Sequence, residues 1–437
     1  MSAAEYRNVV FVCRSATGES LRSARALKDL KAVRLLGIAE ELNATEELFF
    51  DGMQVASVHD AEQLIAAARM LTNRQGALNH IVTAQETLLD PVAQSREALN
   101  VPGMSSETVR RTLDKSLLKS TLRRAGITTP HDRIVTAIGD ALRLVSESGF
   151  PIMLKPLKGS GALASLLIRT GAELHQALAL MQPDPERPVL AEVFQYGQEL
   201  CIDTITIDNE PRFYSLCCYE PSILRAIEHP EKQWTCVMPR EIDDDLYREF
   251  IDQGLAAVRA LSVGNAMTHL EGFMSLEGRL LGFTDATLRP AGARIGPMLG
   301  FAYDMDPYRA WARVAVDGAF DGPWEREYAV GTIFLRGVGS GVIERVDGVD
   351  SVKSELAELI VDARWPQAGA NKSNTYTGDG YLTLRHRDTE RVKTALDFIA
   401  HTVRISYSHA EAGLEWKERF QNYQQLNRPA WEVGGSQ

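Results

Sequence analysis

Lys155-Pro156-Leu157-Lys158-Gly159-Ser160-Gly161-Ala162-Leu163-Ala164-Ser165 is the stretch on which the reading of this chain turns. It leaves the apolar run Ile152-Met153-Leu154 and enters a second one, Leu166-Leu167-Ile168. A hairpin with Gly-Ser-Gly at its tip bares backbone N–H groups, which can fold over phosphates as a flap. Lys155 ends an apolar strand, so it faces core or site, and a lysine anchored there needs an anionic partner. An edge-strand lysine beside a flexible turn has the same pattern. The carboxylates further along the chain weigh between the two.

Glu192 ends the apolar run Val189-Leu190-Ala191, and Glu199 follows across a polar turn with Gly197. Glu271 lies in His269-Leu270-Glu271-Gly272-Phe273, a strand on which residues 269 and 271 share a face. Asp285 ends the next apolar run, Leu280 to Thr284, and Arg289 comes soon after. A turn at Glu277-Gly278 lets Glu271 and Asp285 lie close together on paired strands. Two carboxylates so placed repel unless a cation sits between them. Hard oxygen ligands with open positions suit Mg²⁺ bridging nucleotide phosphates. Surface carboxylates on exposed strand faces are the alternative, and the apolar flanks argue against it.

Outward from this segment, Asn8–Cys13, Val33–Ile38 and His80–Ala84 read as short buried strands alternating with helices at Gly18–Leu30 and His59–Met70. That pattern predicts a small open α/β domain with parallel strands over residues 1–104. Ser106–Ala125 reads as one helix with Ser106 as N-cap and Gly126 as its stop. Residues 105–325 then form a central domain, mostly strands and turns. A last α+β unit, 326–437, holds strands at Val330–Arg336, Gly341–Val346, Leu359–Ala363 and Gly380–Arg387, and a helix at Glu390–Ile405. No G-x-x-x-x-G-K-[ST] motif is present. Gly337-Val338-Gly339-Ser340-Gly341 mimics a dinucleotide fingerprint, but Val342 stands at the third glycine position and a strand follows. A glycine-rich hairpin turn is the expectation there.

Composition narrows the classes. The chain has 437 residues and a net charge of −11, which argues against a dominant nucleic-acid surface. The five cysteines, Cys13, Cys201, Cys217, Cys218 and Cys236, show no C-x-x-C spacing and read as small buried apolar residues. No signal-peptide pattern is seen at the start, and no apolar run reaches the roughly 18–20 residues that span a bilayer. A cytoplasmic setting without a membrane partner is therefore expected, with a homodimer as the candidate assembly.

Taken in order, these motifs resemble the ATP-grasp superfamily, and within it the carboxylate–amine ligases. Asp114-Lys115 before Ala125-Gly126-Ile127, Gly149-Phe150-Pro151 before Lys155, the Gly159–Ser165 run, Leu190-Ala191-Glu192 with Gly197-Gln198-Glu199, His269-Leu270-Glu271, and Asp285 to Arg289 followed by Gly292 carry the likeness. The resemblance implies an ATP-grasp fold of the α/β (α+β) class, with an N-terminal open α/β domain and a C-terminal closing domain. It implies that Lys115 and Lys155 contact the ATP phosphates and that Ser160 and Gly161 close over them. Glu192 and the backbone through Val193, Phe194 and Gln195 would hold adenine, and Glu199 the ribose. Glu271 and Asp285 would hold Mg²⁺ or Mn²⁺, and Arg289 and Lys155 would act in catalysis. This chain departs from the family pattern in having Asp285 where Glu is usual and Thr287 where Asn is usual.

The last unit also resembles the closing domain of L-amino-acid ligases, which implies carboxylate and amine substrates drawn from amino acids. His269, Gly292 and Arg294 are the candidate substrate contacts. The expected reaction is amide bond formation through an acyl phosphate, with release of ADP and phosphate. A biotin-carboxylase-like carboxylating enzyme and a non-catalytic ATP-binding module are the alternatives.

Overall fold

The computed structural model describes residues 6–41, 49–159 and 165–409. The chain opens with β1 (Arg7–Cys13), α1 (Gly18–Lys28), β2 (Val33–Ala39), β3 (Gly52–Val55), α2 (Ala61–Gln75), β4 (His80–Val82) and, after a 3₁₀ turn at Glu86–Leu88, α3 (Leu89–Leu99). The four strands form a parallel sheet in the order β3-β2-β1-β4. Side chains alternate across a strand, and both faces here are apolar. Val9, Phe11 and Leu35 therefore join one core with Leu27, while Val10, Val12 and Leu36 join another with Leu64 and Leu71.

The next elements are α4 (Ser106–Leu113) and α5 (Lys115–Arg124). The single helix expected over this stretch is broken. Asp114 adopts an extended conformation (φ −86°, ψ 112°), and its carboxylate caps α5 by accepting from the Ser116 and Leu117 amides. Ser105, rather than Ser106, caps α4. The break places Lys115 at the first position of α5, with its N–H on the Leu157 carbonyl at 2.9 Å. Then come β5 (Asp132–Val135), α6 (Ile138–Ser148), β6 (Ile152–Pro156), β7 (Leu166–Ile168), α7 (Gly171–Met181) and β8 (Val189–Val193). They build a four-stranded antiparallel sheet, β5-β8-β6-β7. Its core joins Leu154 and Ala191 to Leu144 of α6 and Leu174 of α7.

The larger sheet uses β9 (Gln198–Ile207), β10 (Glu210–Glu220), β11 (Trp234–Met238), β12 (Ala266–Met274), β13 (Leu280–Thr287) and β14 (Ala329–Leu335). Between them lie α8 (Ile223–Glu228), α9 (Asp245–Leu261), α10 (Ile295–Tyr303) and α11 (Pro307–Asp317). The last elements are β15 (Ser340–Asp347), α12 (Val349–Leu356), β16 (Ile360–Arg364), β17 (Gly380–His386), α13 (Thr389–Thr402) and β18 (Arg404–His409). The sheet order is β13-β12-β9-β10-β11-β14-β17-β16, so the sheet runs on past residue 325, where a unit boundary is expected.

Two sequence expectations fail at this end. The final helix stops at Thr402 because Val403 turns extended, and Arg404–His409 pairs as a strand with β15. The glycine-rich segment does not close a hairpin: β14 pairs with β11 and β17, while β15 pairs with β18.

Candidate active site

The β12–β13 hairpin supplies the centre. Gly278 takes φ +83° at the turn, a conformation that glycine adopts without steric cost. The register then sets Glu271 opposite Asp285 and His269 opposite Thr287. On the other side of β12, His269 faces Asp203 and Glu271 faces Cys201 of β9. The alternate residues Leu270 and Ala286 point away into the core with Phe250 and Phe283. Alternation thus gathers the polar groups onto one face and anchors them from the other.

Glu271 accepts from the Tyr219 hydroxyl at 3.3 Å and sits 3.1 Å from His269 Nε2. The other ring nitrogen, Nδ1, lies 2.9 Å from Asp203. Burial opposes protonation of His269, but Cys201 and Asp203 outweigh it and raise its pKa well above the ordinary histidine value. Both nitrogens being engaged, the ring serves as a support for Glu271. Burial likewise opposes ionisation of Glu271, and His269 overcomes it and holds the carboxyl low. Asp285 is shifted the other way. Burial raises its pKa, with Lys115 opposing and Glu271 adding to the shift.

Lys115 Nζ is 2.9 Å from Asp285 Oδ2 and donates to the Gly159 carbonyl at 2.6 Å. It therefore joins the carboxylates to the start of the glycine-rich segment. Ser160 and Gly161 themselves lie outside the described residues. Lys155, on β6, pairs with Glu192 Oε1. Glu192 Oε2 pairs with Lys119, whose side chain has no solvent exposure. Burial works against the Glu192 carboxylate, yet Lys119 and Lys155 prevail and hold its pKa at about 2.

Beside this cluster the chain from Glu192 to Glu199 rims a cavity of about 300 Å³, lined by Phe194, Gln195, Tyr196, Glu199, Tyr219 and Phe273. The Val193 and Phe194 amides already donate to the His131 and Pro151 carbonyls, at 2.9 and 3.3 Å. Glu199 Oε2 accepts from the Ile223 amide at 2.7 Å. Burial, and then Glu271, lift the Glu199 carboxyl well above the usual range.

A smaller cavity of about 100 Å³ meets Glu86, Tyr219, His269, Glu271, Asp285 and Arg289. Tyr219 lines both cavities. Arg289 donates to Glu86 at 2.8 Å and to the Pro290 carbonyl at 2.8 Å. Gly292 is also on the wall, and a side chain there would approach Arg289 Nη1 to 3.9 Å. Arg294 is not among the wall residues. Its guanidinium pairs with Asp362 of β16 and stacks 4.0 Å from the Tyr381 ring centroid. Thr287 Oγ1, buried beside Asp285, has no hydrogen-bond partner among the described residues.

Four members of this constellation escape the sequence reading: Lys119, Glu86, Asp203 and Tyr219. Lys119 had a local signal, since it follows Lys115 by one helical turn on the same face. Glu86, Asp203 and Tyr219 reach the site only through the fold.

A small antiparallel sheet and a large one, with lysines, carboxylates and an arginine gathered between them, define the ATP-grasp fold, and this chain has it. The comparisons agree. The structure superposes on the L-amino acid ligase from Bacillus licheniformis with a TM-score of 0.73 at 16% identity, over 93% of this chain and 100% of that one. It superposes on N5-carboxyaminoimidazole synthetase from Staphylococcus aureus, solved with ADP, with a TM-score of 0.65 at 13% identity, over 91% and 99% of the two chains. In sequence, the chain is similar to alanine–anticapsin ligase of Bacillus subtilis, 22% identical over 268 residues that make up 56% of this chain and 54% of that protein. It thus spans about half the length of that relative. No family model matches the chain. No described helix is long and apolar enough to cross a membrane.

Proposed function

We propose that the protein is an ATP-dependent carboxylate–amine ligase. It would phosphorylate a carboxylate, pass the acyl phosphate to an amine, and release ADP and phosphate, with an amino acid as substrate. The observation that carries this reading is the register pairing of Glu271 with Asp285, with Lys115 and Arg289 beside them.

A carboxylate is a poor electrophile because its charge is delocalised. Converting it to an acyl phosphate supplies a good leaving group, and the protein's task is to position groups and offset charge. Lys155 and Lys115 would meet the triphosphate, and Arg289 would meet charge developing on the transferred phosphoryl and the acyl oxygen. A planar guanidinium can do so bidentately, which an ammonium cannot. The Glu86 pairing holds Arg289 in place in the meantime. His269, held by Asp203, fixes the rotamer and charge of Glu271. The backbone and Gln195 along the larger cavity would take adenine, and Glu199 the ribose; Glu192, expected at the adenine, has both carboxylate oxygens held by Lys119 and Lys155 and would not contact the nucleotide.

The oxygens of Glu271 and Asp285, with the unpartnered Thr287 hydroxyl, are a hard donor set that fits Mg²⁺ or Mn²⁺. When bound, such an ion would offset phosphate charge. Asp285 is one methylene shorter than the glutamate usual at this position; burial raises its pKa, and Lys115 at 2.9 Å opposes that rise.

The test is product identity. Incubation with ATP, Mg²⁺ and amino-acid pairs should yield ADP and phosphate only when both an acid and an amine are present. AMP and pyrophosphate as products would overturn the reading. Bicarbonate-dependent turnover without an amine would do the same.

A further inference from the structure

Among the described residues, Lys119 is the cation of the cluster that the chemistry above leaves unused. It sits one turn after Lys115 on α5, and its side chain is wholly buried. Its ammonium binds one oxygen of Glu192 while Lys155 binds the other. The next carboxylate on that side, Asp132, is paired with Arg123. Burial lowers the Lys119 pKa and Glu192 beside it opposes that shift; with both lysines charged, the one carboxylate between them leaves one positive charge without a partner among the described residues. Lys119 cannot deliver that charge to a ligand, because it has no surface. Lys155 can, its side chain being 10% exposed.

We propose that Lys119 is a positioning residue for ATP: by engaging Glu192, it leaves the charge of Lys155 for the phosphates. The inference rests on the reading that this site takes ATP. Without Lys119, Glu192 and Lys155 would close into a neutral buried pair, and a phosphate would have to compete with Glu192 for the lysine. Low local polarity makes that competition costly, since little water screens it. A lysine that merely fills space would respond to a change of volume and be indifferent to the charge of residue 192.

The experiment is calorimetric ATP binding to the full chain and to two variants, with folding checked by circular dichroism. Lys119→Met should raise the ATP dissociation constant at least about tenfold. Adding Glu192→Gln should bring it back to within about threefold of the parent protein, because Lys155 is then free again. A folded Lys119→Met protein that binds ATP within about twofold of the parent would overturn the proposal. A double variant that binds no better than the single one would also overturn it. Should Lys119→Met fail to fold, the double variant decides alone, since it leaves no unpaired buried carboxylate. In that case retained affinity supports the proposal and a tenfold loss overturns it. If the parent protein itself binds no ATP, the functional reading fails first, so the two failures are distinguishable.

Discussion

The two halves of the site carry opposite charge imbalances. Around β6 and β8, Lys119 and Lys155 surround the single carboxylate of Glu192. On the other sheet face, Glu271 and Asp285 face each other, with Asp203 and Glu86 close by, against Lys115, His269 and Arg289. On the proposed reading, the first region would be completed by an anion and the second by a cation and a substrate. Buried charge is tolerated only when it is matched, so each surplus points to the sign of the missing ligand. A nucleotide triphosphate with its divalent cation fits both halves at once.

Removing Arg289 should have the largest effect, and it should fall on one half only. Arg289→Ala is expected to lower turnover by about 10²–10³, the range for losing one transition-state charge partner. ATP affinity, measured by calorimetry, should be unchanged. Parallel loss of ATP binding would merge the two halves into one and undo the comparison.

Acid titration separates them next. The pKa of Glu192 lies below its ordinary value of 4.5, at about 2. A depressed carboxyl stabilises the folded state above the unfolded pKa, and that stability is lost as pH falls toward the folded pKa. Denaturation followed from pH 5 to pH 2 should therefore show a loss on the order of 3 kcal/mol from this group. Glu192→Gln should flatten that part of the profile. An unchanged slope in the variant would mean that Glu192 is not the buried anion of its cluster.

Lys155→Met should weaken ATP binding about tenfold, as expected for one charge-assisted contact, with a smaller effect on turnover at saturating ATP. A fall in saturated turnover with ATP affinity intact would instead move Lys155 into the chemistry of the other half. The smallest change expected is from Thr287→Asn. It replaces the hydroxyl with a longer-reaching amide oxygen beside Asp285 and should lower the Mg²⁺ concentration for half-maximal activity by a few-fold. No shift in that concentration would remove residue 287 from the metal site.

What could be read in advance follows the range of the interactions. The Glu271–Asp285 pairing was legible because a tight turn and period-two alternation are local. So was the anionic partner demanded by Lys155, although not its identity. The break at Asp114 was missed because Ser106–Ala125 is helical by composition, and only the capping carboxylate stops it. Lys119 looks like a solvated lysine on a polar helix. What buries it is Glu192, far along the chain and on a strand of the small sheet. Arg294 was expected to meet a substrate, and its pairing with Asp362 on β16 was unforeseen. Strand β18 continues a polar helix-prone run, and only the partner β15 makes it extended. Except at Asp114, the deciding group comes from a distant part of the chain.

The proposed reaction requires an acyl phosphate formed between these two halves, and isotope transfer tests that directly. An acid substrate carrying ¹⁸O in its carboxylate should deliver one ¹⁸O to each phosphate released as the amide forms. ADP should be the only nucleotide product. Unlabelled phosphate, or label recovered in AMP, would contradict the account.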